Sequence, residues 1–333
     1  NPDELKKFVL KIKNYSKLHN PITDLSKVEL KYRKMFKKYP CFKIKKKTGD
    51  IINQKDITFK KIKTGGQSIN LENIIGKKIL KDVKEDDPIN LKDIKQKVGA
   101  VIVSRMTSNR LPGKAIKKIC GKEAIVVLIN RIKKIKKCDK IILATSTDIS
   151  DDPLVEIAKR EKIEFFRGSL ENVALRYFEA AKKYSLDQIF RITGDAIFCD
   201  EIMLEKALES QISKCSDVTF IKNMPYGTAK EVFNFKTIEL IAKYAKVKSN
   251  TEYLEWFLEN KRNFNVGYIK SDYQFKKDIR LTLDFKEDIE QLNKIYSNFQ
   301  GKEHVTLEEA IKYLNKSPKI ININKHLIAK FKK

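Results

Sequence analysis

The rhythm of apolar and polar positions changes near residue 98. VGAVIVS runs almost unbroken in apolar residues over 98–104, and an amphipathic helical pattern follows near 122–136. The alternation then repeats: strand 140–146, helix 152–161, strand 162–168, helix 171–183 and strand 188–193. Further helices are expected near 201–214, 236–246 and 251–260, with strands near 217–221 and 280–285. Continuous apolar strands suit a parallel sheet covered on both faces, and strand–helix alternation predicts right-handed βαβ units. The expected fold class is therefore α/β, with a Rossmann-like, mostly parallel sheet over 98–333.

The first hundred residues obey different patterns. Residues 2–18 place Leu5, Phe8, Val9, Ile12 and Leu18 on an approximate helical stripe, with Pro2 and Asp3 suited to the first turn. This helix has no neighbour in sequence to pack against. Between 40 and 97, short segments are punctuated by Gly49-Asp50, Thr64-Gly65-Gly66, Gly76 and Asp86-Asp87-Pro88, which indicates a small, mostly β module. Three parts are thus expected: a helix at 1–20, a module at 40–97 and the α/β domain at 98–333.

Composition narrows the function. A formal charge of +27 raises nucleic acid as a partner, but the cations are spread along the chain without one long block. Lysine supplies 60 of the 70 cations and is the weaker reader of bases, which argues against nucleic acid as the main partner. Only ten residues are arginine, so their placement is informative: Arg105, Arg110, Arg167, Arg176, Arg191 and Arg280 all fall within or beside the motifs below. Cys41, Cys120, Cys138, Cys199 and Cys215 form an odd set with no CxxC spacing, which predicts a reduced, cytoplasmic setting. His19, His304 and His326 stand far from every motif, against a catalytic triad or a histidine-ligated metal. No apolar run has the length of a membrane span. The first residue is Asn1 rather than Met, so a fragment of a longer reading frame is expected.

Three segments could carry chemistry. SRMTSNRLPGK, 104–114, follows the first buried strand and offers Arg105, Ser108, Arg110, Gly113 and Lys114, a constellation suited to a polyphosphate. It lacks GxxxxGK[ST], so it is not the common P-loop. RITGD, 191–195, ends a strand in Asp195, placed to hold Mg²⁺ or to cap the next helix. RLTLDFKEDIEQL, 280–292, delivers Asp284 as a second metal ligand, while Glu287 and Asp288 suit the positive end of the following helix.

Together with ATSTDISDD (144–152), FRGSLENVALRYFEAA (166–181) and PYGTAKEVF (225–233), these segments resemble the cytidylyltransferases that include spore-coat polysaccharide proteins and CMP-sialic acid synthetases. The resemblance implies transfer of CMP from CTP to an acidic sugar, with release of pyrophosphate. It implies that Lys114, Arg105 and Arg110 stabilise the pyrophosphate, and that Asp195 and Asp284 hold Mg²⁺. It places Ser104, Ser108, Gly113, Ala144, Thr145 and Ser146 at the nucleotide, and Arg167, Arg176, Arg191 and Glu231 toward the sugar acid. A homodimer is implied as well. The chain departs from the family at Thr107 (usually Gly), Asn172 (usually Asp), Ala196-Ile197 (usually Cys-Pro) and Tyr253 (usually His).

Residues 1–97 look like something else. NPDELKKFVLKIK resembles the last barrel helix of sialic-acid synthases, and 42–96 resembles the SAF (antifreeze-like, β-clip) domain that follows it. That resemblance implies a fusion of synthase and transferase, with Lys61, or Lys60 in the alternative register, nearest to the family's substrate-covering arginine. Two alternatives remain open at this level: transfer to a different sugar, and a non-catalytic module that binds glycan or nucleotide.

Overall fold

The computed structural model describes residues 1–19, 25–63, 65–244, 254–258 and 264–331. Two helices come first, α1 (Pro2–His19) and α2 (Lys27–Phe36). Ser26 caps α2, its Oγ accepting from Glu29 N while the Glu29 carboxylate accepts from Ser26 N. The stripe expected on α1 is present and faces outward, with Leu5, Phe8 and Ile12 each more than half exposed.

An antiparallel pair, β1 (Lys38–Phe42) and β2 (Ile57–Lys61), begins the next unit. The chain from there to Ile94 is held by isolated bridges such as Lys46 to Val83 and Ile79 to Ile94, around a core that includes Phe42, Ile52, Ile79 and Ile89. Buried Asp56 organises one turn, accepting from Asn53 N and pairing with Lys46.

The remaining strands build a seven-stranded sheet. They are β3 (Val98–Val103), then a two-residue ribbon β4 (Lys118–Ile119) and β5 (Lys122–Glu123) outside the sheet, then β6 (Lys140–Ser146), β7 (Glu164–Gly168), β8 (Gln188–Thr193), β9 (Val218–Lys222), β10 (Glu231–Asn234) and β11 (Val266–Lys270). The order across the sheet is β11-β9-β10-β8-β3-β6-β7, with β10 alone antiparallel to its neighbours. All six residues of β3 are buried, as a central strand covered on both faces requires. Helices α3 (Ala124–Ile132), α4 (Asp152–Arg160), α5 (Val173–Lys183), α6 (Glu201–Lys214), α7 (Phe235–Tyr244), α8 (Lys286–Asn298), α9 (Leu307–Lys316) and α10 (Pro318–Ile321) complete the chain. Two apolar clusters result, one containing Ile102, Leu128 and Phe198, the other Val101, Tyr177 and Ile189.

Two expectations are corrected. Residues 280–285 form no strand; Arg280 makes a single bridge to Tyr226. Residues on both alternating sets are buried all the same, Ile279, Leu281 and Leu283 in one and Arg280 and Thr282 in the other. The helix expected at 251–260 is described only as a 3-10 turn, Leu254–Leu258, and Tyr253 lies outside the described residues. Strands β10 and β11 were not anticipated.

The N-terminal unit is fixed to the amino ends of the sheet strands. Asp187, just before β8, pairs with Lys77 at 2.5 Å and accepts from Lys97 N, and Asp139, just before β6, pairs with Lys95 at 3.0 Å. Gln67 reaches across to donate to Ser213 O. Among the described residues no helix is long and apolar enough to cross a membrane.

Arg131, on α3, is a fully buried cation that the pattern of its helix does not reveal. Its guanidinium donates to Ile197 O and Val305 O and pairs with Glu201 at 3.0 Å, over the Phe198 ring. Arg131→Met is expected to cost about 3–5 kcal/mol in urea unfolding, because it leaves two buried carbonyls without this donor and the Glu201 carboxylate with His304 alone of its two side-chain partners.

The thiols also follow burial. Burial pushes Cys199 up to about 12 and both Cys138 and Cys215 up to about 11, so almost none is thiolate at neutral pH. Cys120 is the exposed thiol. Maleimide at pH 7 is expected to label Cys120 well ahead of the others, as peptide mass mapping over time would show.

Candidate active site

Strand β3 leads to β6 and β7 on one side, while β8 lies on its other side, so the order of the parallel strands reverses between β3 and β8. Open α/β sheets bind ligands beyond the carboxyl ends of strands at such a point. A cavity of 470 Å³ opens there, walled by Ser104, Arg105, Ser108, Arg110 and Lys114 after β3, by Arg191 and Asp195 of the β8 end, and by Arg176 of α5. The two strand ends approach closely: a Cβ on Gly194 would lie 2.6 Å from Ser104 Oγ.

The loop from Ser104 to Lys114 takes its shape from few contacts. Gly113 sits in the left-handed region at φ 65°, a conformation that favours glycine, and its N–H donates to Met106 O. Thr107 is not in the left-handed region, so the loop has no need of the family's usual glycine there. Lys114 turns inward and divides its ammonium between Asp195, at 3.0 Å, and Asp284, at 2.9 Å. Burial would lower the Lys114 pKa, but the two carboxylates more than offset this and the ammonium is held above its usual value.

Asp195 is surrounded by donors. Thr193 Oγ1 donates to it at 2.6 Å, and Lys230 donates in turn to Thr193 at 3.0 Å. Burial would raise its pKa, yet the Lys114 and Lys230 charges hold it well below the usual carboxylate range. Asp284 receives Arg110 at 2.9 Å and Arg280 at 3.2 Å, besides Lys114. Arg280 grips Asp288 with two bonds of 2.9 and 3.0 Å, and Asp288 also accepts from Asp284 N and Phe285 N. Asp288 thus fixes the backbone that presents Asp284, a more specific role than complementing a helix end.

Of the other expected residues, Arg176 and Arg191 are in the cavity wall and the rest lie outside it. Ala144, Thr145 and Ser146 end β6 and are buried. Arg167 points away, donating to Ser146 O and Asp148 O and pairing with Asp152. Arg176 lines the cavity while donating to Ser169 O and Leu170 O, and Arg191 pairs with Glu231 at 3.2 Å. Lys61 is exposed on β2 with its ammonium 5.1 Å from the Phe36 ring centroid, outside the cavity wall. Two departures are readily accommodated: Asn172 caps α5 by accepting from Leu175 N, a role Asp and Asn share, and Ala196-Ile197 form a fully buried turn.

Sequence reasoning passed over Asp151 and Lys230. Asp151 is fully buried and accepts from Met106 N at 2.6 Å, Ser146 N at 3.0 Å and Ser146 Oγ at 2.5 Å, joining the loop after β3 to the end of β6. Its pKa is lowered although burial opposes this, because Ser146 and Met106 donate to the charged form. Its place beside Pro153 at a helix start was the available clue. Asp151→Ala is expected to destabilise the fold by about 1–3 kcal/mol through two unpaired amides, and to raise the KM for CTP, as denaturation and steady-state kinetics would show.

Comparisons with known proteins agree with this geometry. The cytidylyltransferase family model matches residues 100–319. An uncharacterized protein of Methanocaldococcus jannaschii is 33% identical over 233 residues, covering 69% of this chain and 96% of that protein. The spore coat polysaccharide biosynthesis protein SpsF of Bacillus subtilis is 28% identical over 225 residues, covering 66% and 94%. The solved structure of a cytidylyltransferase from Leptospira borgpetersenii superposes with a TM-score of 0.64 at 27% identity, covering 68% of this chain and 97% of that one. Fold, cavity and family match converge on residues 100–319, and the chain belongs to the cytidylyltransferase family.

Proposed function

We propose that the chain transfers CMP from CTP to an acidic sugar of the nonulosonic or sialic type and releases pyrophosphate. The observation that carries this reading is the charge of the cavity: among the described residues of its wall, Arg105, Arg110, Lys114, Arg176 and Arg191 stand against one carboxylate, Asp195. Such a cavity favours two anionic substrates together. The similarity to a spore coat polysaccharide protein supports a saccharide acceptor.

In this reading the acceptor hydroxyl attacks the α-phosphorus, the bond from that phosphorus to the bridging oxygen breaks, and the hydroxyl proton passes to solvent. Catalysis rests on positioning and charge neutralisation, so no histidine is needed. Arg105, Arg110 and Lys114 bear on the leaving pyrophosphate. Ser104, Ser108, Gly113 and the β6 end frame the nucleotide, and Arg176, Arg191 and Glu231 face the sugar acid, with Arg167 bracing the loop beside them. Asp195 and Asp284 fit a magnesium ion, because each aims an oxygen at the one point now held by the Lys114 ammonium. When bound, the ion neutralises charge on the phosphates.

The reading extends to the rest of the chain. Residues 1–20 are read as the terminal helix of an upstream synthase barrel and 40–97 as an SAF module, with 98–333 the transferase acting as a cytoplasmic homodimer. The outward apolar stripe of α1 and the separate core around Phe42 and Ile79 support this.

The test offers CTP, UTP, ATP and dTTP with sugar acids, their reduced neutral counterparts and hexose 1-phosphates. A CMP-linked product formed only from CTP and an acid is expected. A product formed from a hexose 1-phosphate instead would overturn the acceptor assignment.

A further inference from the structure

A second cavity, of 520 Å³, lies at the other end of β8, in the seam between the N-terminal unit and the sheet. Its inner wall is a chain of three buried amides. Gln211 Nε2 donates to Gln188 Oε1 at 2.8 Å, and Gln188 Nε2 donates to Gln96 Oε1 at 3.4 Å. All three residues are more than nine-tenths buried. The chain has a direction and both of its ends are open: among the described residues Gln96 Nε2 has no acceptor and Gln211 Oε1 has no donor. Buried polar atoms left in this state are rare and costly.

Most charged groups of the wall, by contrast, already have partners. Lys77 pairs with Asp187 at 2.5 Å and Lys236 with Glu239 at 2.6 Å. Asp217 accepts from Asn234 Nδ2 and from Asn265 N. With Glu72 also at the rim, the lining holds four carboxylates (Glu72, Asp187, Asp217, Glu239) against two ammonium groups (Lys77, Lys236), which disfavours an anion. What the wall has left to offer is amides: Gln96 and Gln211 inside, Asn70 and Asn73 at the exposed rim. A hydroxyl donates and accepts through a single atom, so a compact ligand that carries several of them serves an open N–H at one end and an open carbonyl at the other. The volume lies in the range of small-molecule pockets.

We propose that this seam cavity is a second ligand site, independent of the transferase cavity, that takes a neutral polyhydroxylated ring, a sugar without carboxylate or phosphate. Its ligand touches both the N-terminal unit and the α/β domain and so ties them together.

The test uses the full chain, with thermal unfolding and calorimetric titration against methyl glucoside, N-acetylglucosamine and maltose, and with inorganic phosphate as the anionic control. At least one neutral sugar is expected to raise the unfolding temperature, equally in Asp195→Ala and in the presence of saturating CTP, while phosphate has no effect at this site. Gln96→Met and Gln211→Met are expected to weaken that sugar about tenfold. Should either glutamine variant fail to fold, Asn73→Trp, at the exposed rim, is expected to block the mouth and abolish binding. No response to any of the sugars by a chain that still binds CTP would show that the seam holds only water and would overturn the proposal. Binding lost in Asp195→Ala but kept in the seam variants would overturn it too, by placing the sugar in the transferase cavity.

Discussion

Lys114→Met is expected to lower kcat/KM for CTP by about 10²–10³-fold, the scale seen when one preorganised charge or donor is removed from a transition state. Methionine is an unbranched side chain only one atom shorter, so the loss is chiefly one of charge. Two consequences follow from its position between Asp195 and Asp284. In the proposed mechanism the leaving pyrophosphate loses its buried cation, and the two carboxylates lose the positive charge on which they converge. Asp284 retains Arg110 and Arg280, whereas Asp195 retains only the Thr193 hydroxyl backed by Lys230, so Asp195 is the carboxylate most exposed to the change. Steady-state kinetics with varied CTP should show a fall in kcat as well as a rise in KM. A change confined to KM would mean that Lys114 holds the ground state and the transition state equally.

Arg280→Leu is the second large effect, and it acts through structure. Arg280 is fully buried and makes a two-bond grip on Asp288 while touching Asp284, with the Tyr226 ring 5.1 Å away. Removing the cation leaves one fully buried carboxylate, Asp288, with neutral donors only and weakens the hold on Asp284, which costs about 3–5 kcal/mol. Urea unfolding monitored by circular dichroism reads the loss. Activity should fall beyond what the unfolded fraction explains, because Asp288 holds the backbone amides of Asp284 and Phe285. Arg280→Lys is expected to recover only part of the stability, since an ammonium cannot reproduce the planar pair of bonds.

How much of this was legible in the sequence depended on how local the cause was. Lys140–Ser146, Gln188–Thr193 and Glu201–Lys214 have the bounds their patterns predict, because an unbroken apolar run or an amphipathic repeat with an acidic cap dictates them. Strand β10 is four residues long and exists through antiparallel pairing to β8 and β9, so its own sequence carries little trace of it. The alternation at 280–285 reads as a strand, yet its hidden side is filled by an arginine and its two carboxylate partners instead of a neighbouring strand. At the site, the loop motif marked Arg105, Arg110 and Lys114, all of which line the cavity. Arg131 escaped notice because its meaning lies in a partner 70 residues away, which no local pattern encodes, and Asp151 because its bond to Met106 spans 45 residues although its bonds to Ser146 are local.

The measurement that tests the central claim most directly is pyrophosphate release from CTP and Mg²⁺ by the intact chain, with and without a sugar acid, beside the Asp195→Ala variant. The account predicts release that requires the acid and falls to background in the variant, while CTP-independent unfolding remains cooperative in both. Release that persists undiminished in Asp195→Ala, or CTP binding with no release for any acid offered, would contradict it.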